Sequence, residues 1–488
     1  MSTRSSSTPF TRRDFVRAVA AGGGTVAFGG TLLSCAGDIV APHDHHSSPP
    51  DFAKGGAGGG TTTRTALRIP ATVTPTGDFP LTAAPGPVEI VPGKTTPAWL
   101  YNGQFPGPTL QARKGSQASV RFTNGLPQPS ITHWHGMVVS HENDGHPMMA
   151  VAPGGTYERG YAFAIDQRAA LNWYHPHPHM RTGEQVYRGL AGAFIVRDEV
   201  DTGTAANPLG LPSGAYEVPL IIRDVSIDSG GGLQFSGKSS GFWGKTPLVN
   251  GTLNPYLTVD PAVYRFRVLN GCNARVLRLA LADGAPFTLI GNDGGLLDRT
   301  YVLSEITLSP GERADLIVDF RALAARGTAM LRDLDAGWAL LEFRGSGVNG
   351  GGTVPTGTLS TIVPLGAWAR TRTFSFDGMT RINGKVYDMD AVEFTVPFGQ
   401  TEKWVFRTSG NGPHPVHIHG ASFQVVSRTG GRGRTYDWEK GWKDTVLLND
   451  GETIEVLIRF EGHRGLYVMH CHQLAHEDAG MMANFEVV

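Results

Sequence analysis

From about residue 64 onward the chain reads as short stretches in which apolar and polar side chains alternate. Ala191 to Val196, Tyr264 to Leu269, Ala314 to Phe320 and Ile454 to Phe460 are clear examples. A period of two sends successive side chains to opposite faces, so each stretch predicts a β-strand with one face towards a core. No long amphipathic helix competes with these strands. Three segments also share one plan: an extended stretch, a turn with Gly or Pro, then a strand ending in a polar turn. They are LQARKGSQASVRFTNG from Leu110, LTVDPAVYRFRVLNG from Leu257 and FTVPFGQTEKWVFRTSG from Phe394. Their spacing is too long for a solenoid repeat and suits a domain. The expected fold is therefore all-β, with three Greek-key β-barrel domains over residues 64–200, 201–364 and 365–488.

Composition agrees and removes some functions. A chain of 488 residues is long enough for about three domains, and 65 glycines with 32 prolines favour a turn-rich β protein. The formal net charge is −1, and no basic stretch is interleaved with aromatic residues, which argues against a nucleic-acid partner. Residues 36–63 are mostly Gly, Ser, Thr, Pro and His with little to bury, and read as a flexible linker. His43, His45 and His46 belong to this solvated linker. Residues 1–35 read as an export signal: TRRDFVR, from Thr11 to Arg17, places two arginines before a weakly apolar, Gly-rich stretch. This resembles a twin-arginine signal, implying a periplasmic or cell-envelope protein. Leu32-Leu33-Ser34-Cys35 resembles a lipoprotein box, although Leu33 is not the usual small residue there. A lipid on Cys35 would be the sole membrane attachment, because the apolar stretch is too short to span a bilayer convincingly. Of the other cysteines, Cys272 reads as a small buried hydrophobe.

Histidine changes the picture. Of the 17 histidines, ten cluster in HWHG (His133 to Gly136), HPH (His175 to His177), HPVHIHG (His414 to Gly420) and HCHQLAHEDAGMM (His470 to Met482). Two histidines at i and i+2 share one face of a strand and can present two imidazoles to one metal cluster. Cys471 has the opposite parity to His470 and His472, so its thiolate can serve one metal while the flanking imidazoles serve another. A few covalent bonds would then join the two sites. A blue-copper electron-transfer centre takes two His and one Cys in a plane, with a weak axial Met. Cys471, His476 and Met481 supply three of these groups. His414, of opposite parity to His417 and His419, is the natural fourth, although Pro415 weakens a strict parity argument. Eight imidazoles remain for a cluster: His133, His135, His175, His177, His417, His419, His470 and His472. No histidine lies between His179 and His414. The cluster is thus expected between the first and third domains, with the middle domain a spacer that holds the geometry and shapes the substrate approach. His141, His146, His179 and His463 are expected to be non-ligands.

These four motifs resemble the ligand blocks of the multicopper oxidases, the family of laccases, ascorbate oxidase and bacterial copper-efflux oxidases. The likeness runs from about residue 65 to the C-terminus and implies barrels of the cupredoxin kind. It implies four copper ions. The type 1 ion would take His414, Cys471, His476 and Met481, and the type 2 ion His133 and His417. The type 3 pair would take His135, His175, His177, His419, His470 and His472. Electrons would run from Cys471 through His470 and His472 to a cluster that reduces dioxygen to water. Two carboxylates match the family's proton relays: Asp144 in HENDG, and Glu477. Asp444, in GWKDT, is a candidate hydrogen-bond partner of a ligand His. An axial Met points to a potential towards the lower end of the family range.

The implied donors are phenols and aromatic amines, as for a laccase. Cuprous-ion or other metal-ion oxidation in copper tolerance is the alternative. It is weakened because the 11 methionines form no rich run, only the pair Met148 and Met149 beside His146. An exported cupredoxin scaffold without catalysis would show gaps in the ligand blocks, and there are none.

Overall fold

The computed structural model describes residues 63–488, apart from residues 239, 323–326, 348–349 and 409. The expected export signal, the lipoprotein box at Cys35 and most of the linker lie outside the described residues. Six β-sheets fall into three successive groups of two along the chain. The first two sheets have four and five strands, the next two six and seven, and the last two five each. Helices are short: α1 covers Thr182–Arg188 and α2 covers Leu474–Asp478. No helix among the described residues is long and apolar enough to cross a membrane.

The alternating stretches are strands, to within a residue or two: Gly192–Arg197, Val263–Asn270, Arg313–Asp319 and Thr453–Arg459. The threefold repeat has a physical meaning. In each copy the extended half and the second strand belong to different sheets of the same group. Thr109–Arg113 lies in the five-stranded sheet and Gln117–Asn124 in the four-stranded one. Pro255–Val259 and Val263–Asn270 divide between the six- and seven-stranded sheets. Phe394–Val396 and Thr401–Arg407 divide between the last two. The Gly or Pro turn is where the chain crosses from one wall of the barrel to the other, which closes the sheets around a core. The three largest cores each draw on one group of sheets, with Trp134, Phe266 and Trp404 among their buried aromatics. One strand does not keep to its group: Thr65–Ala66 adds to the edge of the six-stranded sheet, beside Pro255 and Tyr256. Cys272 is buried in the middle core with a free thiol, as a small hydrophobe should be.

Alternation has a second consequence in the strand Val263–Asn270. Tyr264, Phe266 and Val268 point into the middle core, so Arg265 and Arg267 share the other face. That face is not wet. Both arginines are buried and paired with Asp201, Glu217 and Asp315. Arg197 joins the cluster through Asp201 and Glu217. Burial alone would raise the two carboxyls most enclosed by arginine. The guanidiniums of Arg265, Arg267 and Arg197 outweigh it, holding Glu217 at about 2 and Asp201 well below the usual carboxylate range.

Groups with depressed folded pKa values stabilise the fold above their unfolded values, about 4 for Asp and Glu. That stability is lost as pH falls through the folded values. In the metal-free protein the buried neutral histidines should begin to lower the unfolding midpoint as pH falls below about 6.5, and loss of the carboxylate cluster's contribution should add a further drop from about pH 4 towards pH 2. Arg267→Met leaves buried carboxylates uncompensated and should cost about 3 kcal/mol or more. An unfolding midpoint within error of the parent protein would contradict this account of the cluster.

Candidate metal centre

Register decides which histidines meet. Thr132–His135 lies antiparallel beside Ala170–Pro176, with His133 opposite His175 and His135 opposite Trp173. His414–Ile418 lies antiparallel beside Gly465–Cys471, with Val416 opposite Cys471 and His417 opposite His470. Directly opposed residues share a face. Cys471 therefore looks out on the side of His414 and Val416, and His470 on the side of His417 and His419. Pro415 stays within its strand, so the parity argument survives it.

Helix α2 returns His476 to the thiol, and the turn after it is tied by two backbone bonds. Met481 N–H donates to the His476 carbonyl at 2.9 Å, and Cys471 N–H to the Met481 carbonyl at 3.1 Å. The result is a near-equilateral triangle. Cys471 Sγ lies 3.5 Å from Nδ1 of both His414 and His476, and those two nitrogens are 3.2 Å apart. Met481 is buried in the same core as Cys471. His476 is only 2 % exposed, and His414 packs its ring 5.8 Å from that of Phe376. Burial holds the His414 imidazole at about 4 and that of His476 at about 3, and raises the Cys471 thiol.

The other eight imidazoles form a second buried assembly, in overlapping sets of three. His135, His175 and His472 form one set, and His177, His419 and His470 another. His133 and His417 meet at 3.4 Å between their Nε2 atoms, close to His135. Burial, aided by neighbouring imidazoles, pushes His135, His175, His417, His419 and His472 well below their ordinary value. Burial likewise takes His177 to about 3. These are neutral rings, the form that binds metal.

Three carboxylates each address two rings. Asp144 Oδ2 accepts from His419 Nδ1 at 2.7 Å, and the Asp144 carbonyl accepts from His133 Nδ1 at 2.6 Å. Asp444 Oδ1 accepts from His135 Nε2 at 3.0 Å, and its carbonyl accepts from His417 Nδ1 at 2.9 Å. Glu477 lies 3.2 Å from His470 Nδ1 and 3.6 Å from His177 Nε2. A ring that donates to Asp144 or Asp444 through one nitrogen presents a lone pair at the other, so those four contacts set the direction in which His419, His133, His135 and His417 are basic.

That orientation tests whether metal fits. His419 spends its Nδ1 hydrogen on Asp144, yet its Nε2 stands 3.2 Å from Nε2 of His470, which stands 3.2 Å from Nε2 of His177. His417 and His133 both donate through Nδ1, so two lone pairs face each other at 3.4 Å. Nitrogens of His135, His175, His177, His472 and His476 are buried with no hydrogen-bond partner among the described residues. Facing lone pairs in a dry interior repel, and a cation between them removes the repulsion. Soft thiolate, thioether and imidazole suit copper, so the residues fit it.

The histidines expected outside the site do lie outside it. His146 is buried and donates through Nε2 to Asn484 at 2.9 Å, and His179 packs 5.2 Å from the Tyr387 ring. His141 sits beside Glu142, and His463 is exposed. The middle sheets, expected to be a spacer, reach the cluster. A Cβ on Gly311 would stand 3.1 Å from both His135 and His472. Arg313 forms a two-pronged ion pair with Asp444. Neither residue carries a mark in the sequence, because each acts through partners more than a hundred positions away.

Comparisons with known proteins place the chain in a family. The multicopper oxidase family matches the chain twice, over residues 82–201 and 361–488. Multicopper oxidase mco of Staphylococcus haemolyticus is 32% identical over 419 residues, covering 84% of this chain and 88% of that protein. A laccase of Bacillus subtilis is 31% identical over 469 residues, covering 80% of this chain and 90% of its own. The crystal structure of McoA multicopper oxidase from Aquifex aeolicus superposes with a TM-score of 0.80 at 36% identity, covering 87% of this chain and all of that one. The chain belongs to the multicopper oxidases. It is an oxidoreductase of cupredoxin-like fold that uses copper, takes electrons from a donor substrate and passes them to oxygen.

The packing around Gly136, the last residue of HWHG, offers a direct check. Its φ is +90°, and an added Cβ would meet Arg313 and Asn172 at 2.5 Å and Asp444 at 3.0 Å. Gly136→Ala should cost at least about 1 kcal/mol from backbone strain alone. It should also displace Asp444 from His135. A fall in both the unfolding midpoint and the copper content is expected; a variant matching the parent in both would contradict this packing.

Proposed function

We propose that the chain is a laccase-like multicopper oxidase with four copper ions. The type 1 ion is held by His414, Cys471, His476 and Met481. The type 2 ion is held by His133 and His417. Of the type 3 pair, one ion takes His135, His175 and His472, and the other His177, His419 and His470. The observation that carries the reading is Cys471: its thiol belongs to the first donor set, while His470 and His472 on either side belong to the second. When bound, copper supplies one-electron oxidation of the donor at the thiolate site and four-electron reduction of dioxygen to water at the histidine cluster.

The chain's own residues do the rest. The Cys471 backbone and side chain provide a path of a few bonds between the sites, so no mobile carrier is required. Asp144 and Glu477 are the proton relays. Asp144 Oδ1 is buried with no hydrogen-bond partner among the described residues, and Glu477 Oε2 lies 3.2 Å from His470 Nδ1. Each is therefore an atom at which a proton can be held beside a ligand imidazole. The near-complete burial of His414 and His476 keeps water from the thiolate and limits a donor to contact at the rim.

Phenols and aromatic amines are the proposed donors, supported by the similarity to a laccase. The cuprous alternative loses ground at Met148 and Met149. Met148 is exposed, but Met149 accepts a hydrogen bond from Tyr157 at 3.2 Å and packs against the first core, so the two do not present a common two-sulfur site. Residues 64–200, 201–364 and 365–488 are read as the three domains. The leader is read as a twin-arginine export signal, with a lipid on Cys35 as the only membrane attachment.

Oxygen uptake by copper-loaded protein, with a phenol and cuprous ion offered in parallel, tests the donor. Faster uptake with the phenol is expected, and a strong preference for cuprous ion would overturn the laccase reading. Cys471→Ser should lose both the blue colour and turnover of organic donors, and retention of either would remove Cys471 from its role.

A further inference from the structure

The middle sheets carry no histidine, yet one arginine from them reaches the carboxylate that bonds to His135. We propose that Arg313 is a positioning residue of the histidine cluster: through Asp444 it fixes the tautomer and orientation of His135, so that Nδ1 of that ring faces metal. The proposal rests on the reading of the cluster given above and adds a residue to it.

Three observations carry it. Arg313 grips Asp444 with both arms of its guanidinium, Nη1 to Oδ1 and Nη2 to Oδ2, each at 2.6 Å. This is the parallel fork that fixes a carboxylate in both position and plane. The plane matters because Asp444 Oδ1 also accepts from His135 Nε2 at 3.0 Å, and His135 Nδ1 is left buried without a partner. Arg313 is itself over-determined. Its Nε donates to the Leu171 carbonyl at 2.9 Å, on the strand that carries His175. Nη1 also donates to the Gly311 carbonyl and Nη2 to the Asp293 carbonyl, both at 3.1 Å. One side chain therefore ties together the strand carrying His175, the middle sheets, and the carboxylate behind His135.

The surroundings make the grip rigid. Lys443, the neighbour of Asp444, is buried and paired with Asp293 at 2.9 Å and Glu312 at 2.8 Å, so the segment carrying Asp444 is anchored to the middle sheets twice. Gly311 brings backbone against His135 and His472, and Gly136 leaves room for the guanidinium directly after His135. A lysine in place of Arg313 would keep the charge but could not hold both oxygens of Asp444. A glutamine would leave Asp444 as an uncompensated buried carboxylate, free to turn away from His135.

The test compares Arg313→Gln and Arg313→Lys with Arg267→Gln, which breaks a buried ion cluster that does not touch the histidines. Two readouts are used: competition for copper by a chelator, and ¹⁵N spectra of the histidines in metal-free protein. Arg313→Gln should weaken copper at the histidine cluster about ten- to a hundredfold, the range for loss of a group that orients a ligand. Copper at the Cys471 site should be unchanged, as read from its blue absorption. In the metal-free protein the His135 signal should pass from the Nε2–H tautomer to a mixture. Arg313→Lys, the milder change, should show the same direction with a smaller loss. Arg267→Gln should lower the unfolding midpoint and leave both readouts at parent values. An unchanged His135 tautomer in both Arg313 variants would overturn the proposal, as would equal loss of cluster copper in Arg267→Gln. If the parent chain bound no copper at the histidines, the functional reading would fail, and the tautomer measurement would still decide the role of Arg313.

Discussion

Everything in this molecule turns on one constraint: many neutral imidazoles are packed in a dry interior with their lone pairs towards one another. Such a packing needs ring hydrogens claimed by acceptors outside the cluster, as they are for His133, His135, His175, His417 and His419, which leaves the other nitrogen of each ring bare. Asp144 and Asp444 meet that demand with a carboxylate and a carbonyl each. The Pro176 carbonyl takes His175 Nδ1 at 2.9 Å, and Glu477 stands beside His470 and His177. A slip of one residue in either strand pair would turn every ring to the wrong face. The requirement for fixed register is what a barrel wall satisfies and a loop does not.

The constraint extends to charge. Acceptors strong enough to orient imidazoles are carboxylates, and a buried carboxylate needs its own partner. Asp444 finds it in Arg313, and the adjoining Lys443 is matched by Asp293 and Glu312. Arg313 lies on a strand of the middle sheets, and Asp293 and Glu312 lie in the turns beside those strands. These sheets supply no ligand, but they hold the counter-charges that let the ligand-bearing strands be orientated without water. The same solution recurs where Arg265 and Arg267 meet Asp201 and Glu217.

What could be read from the chain follows from how local each requirement is. Copper donors are legible because their chemistry is restrictive and their geometry is short-range: an i, i+2 pair needs only a strand. Cys471 between two histidines needs only alternation, and His414 was separable from His417 and His419 by parity. The barrel crossings were legible as repeats because each is a single turn between two strands. Arg313 was not legible, since it is one arginine in an ordinary alternating strand whose partners, Asp444 and Leu171, lie far away in sequence. The burial of Arg265 and Arg267 was not legible for the same reason: alternation places them on the face away from the core, and the partners that enclose them, Asp201, Glu217 and Asp315, lie far away in sequence. Asp444 stood between these cases, noticed in GWKDT as a partner for some histidine but without a means of choosing His135.

The central claim is that two donor sets joined at Cys471 act as one device for moving four electrons to dioxygen. Its most direct test is the number of donor electrons consumed per dioxygen by copper-loaded protein, with copper per chain counted in the same sample. The account predicts four electrons per dioxygen, no peroxide, and four copper ions per chain. Two electrons per dioxygen with peroxide released, or full turnover by a chain holding copper at the Cys471 site alone, would contradict it.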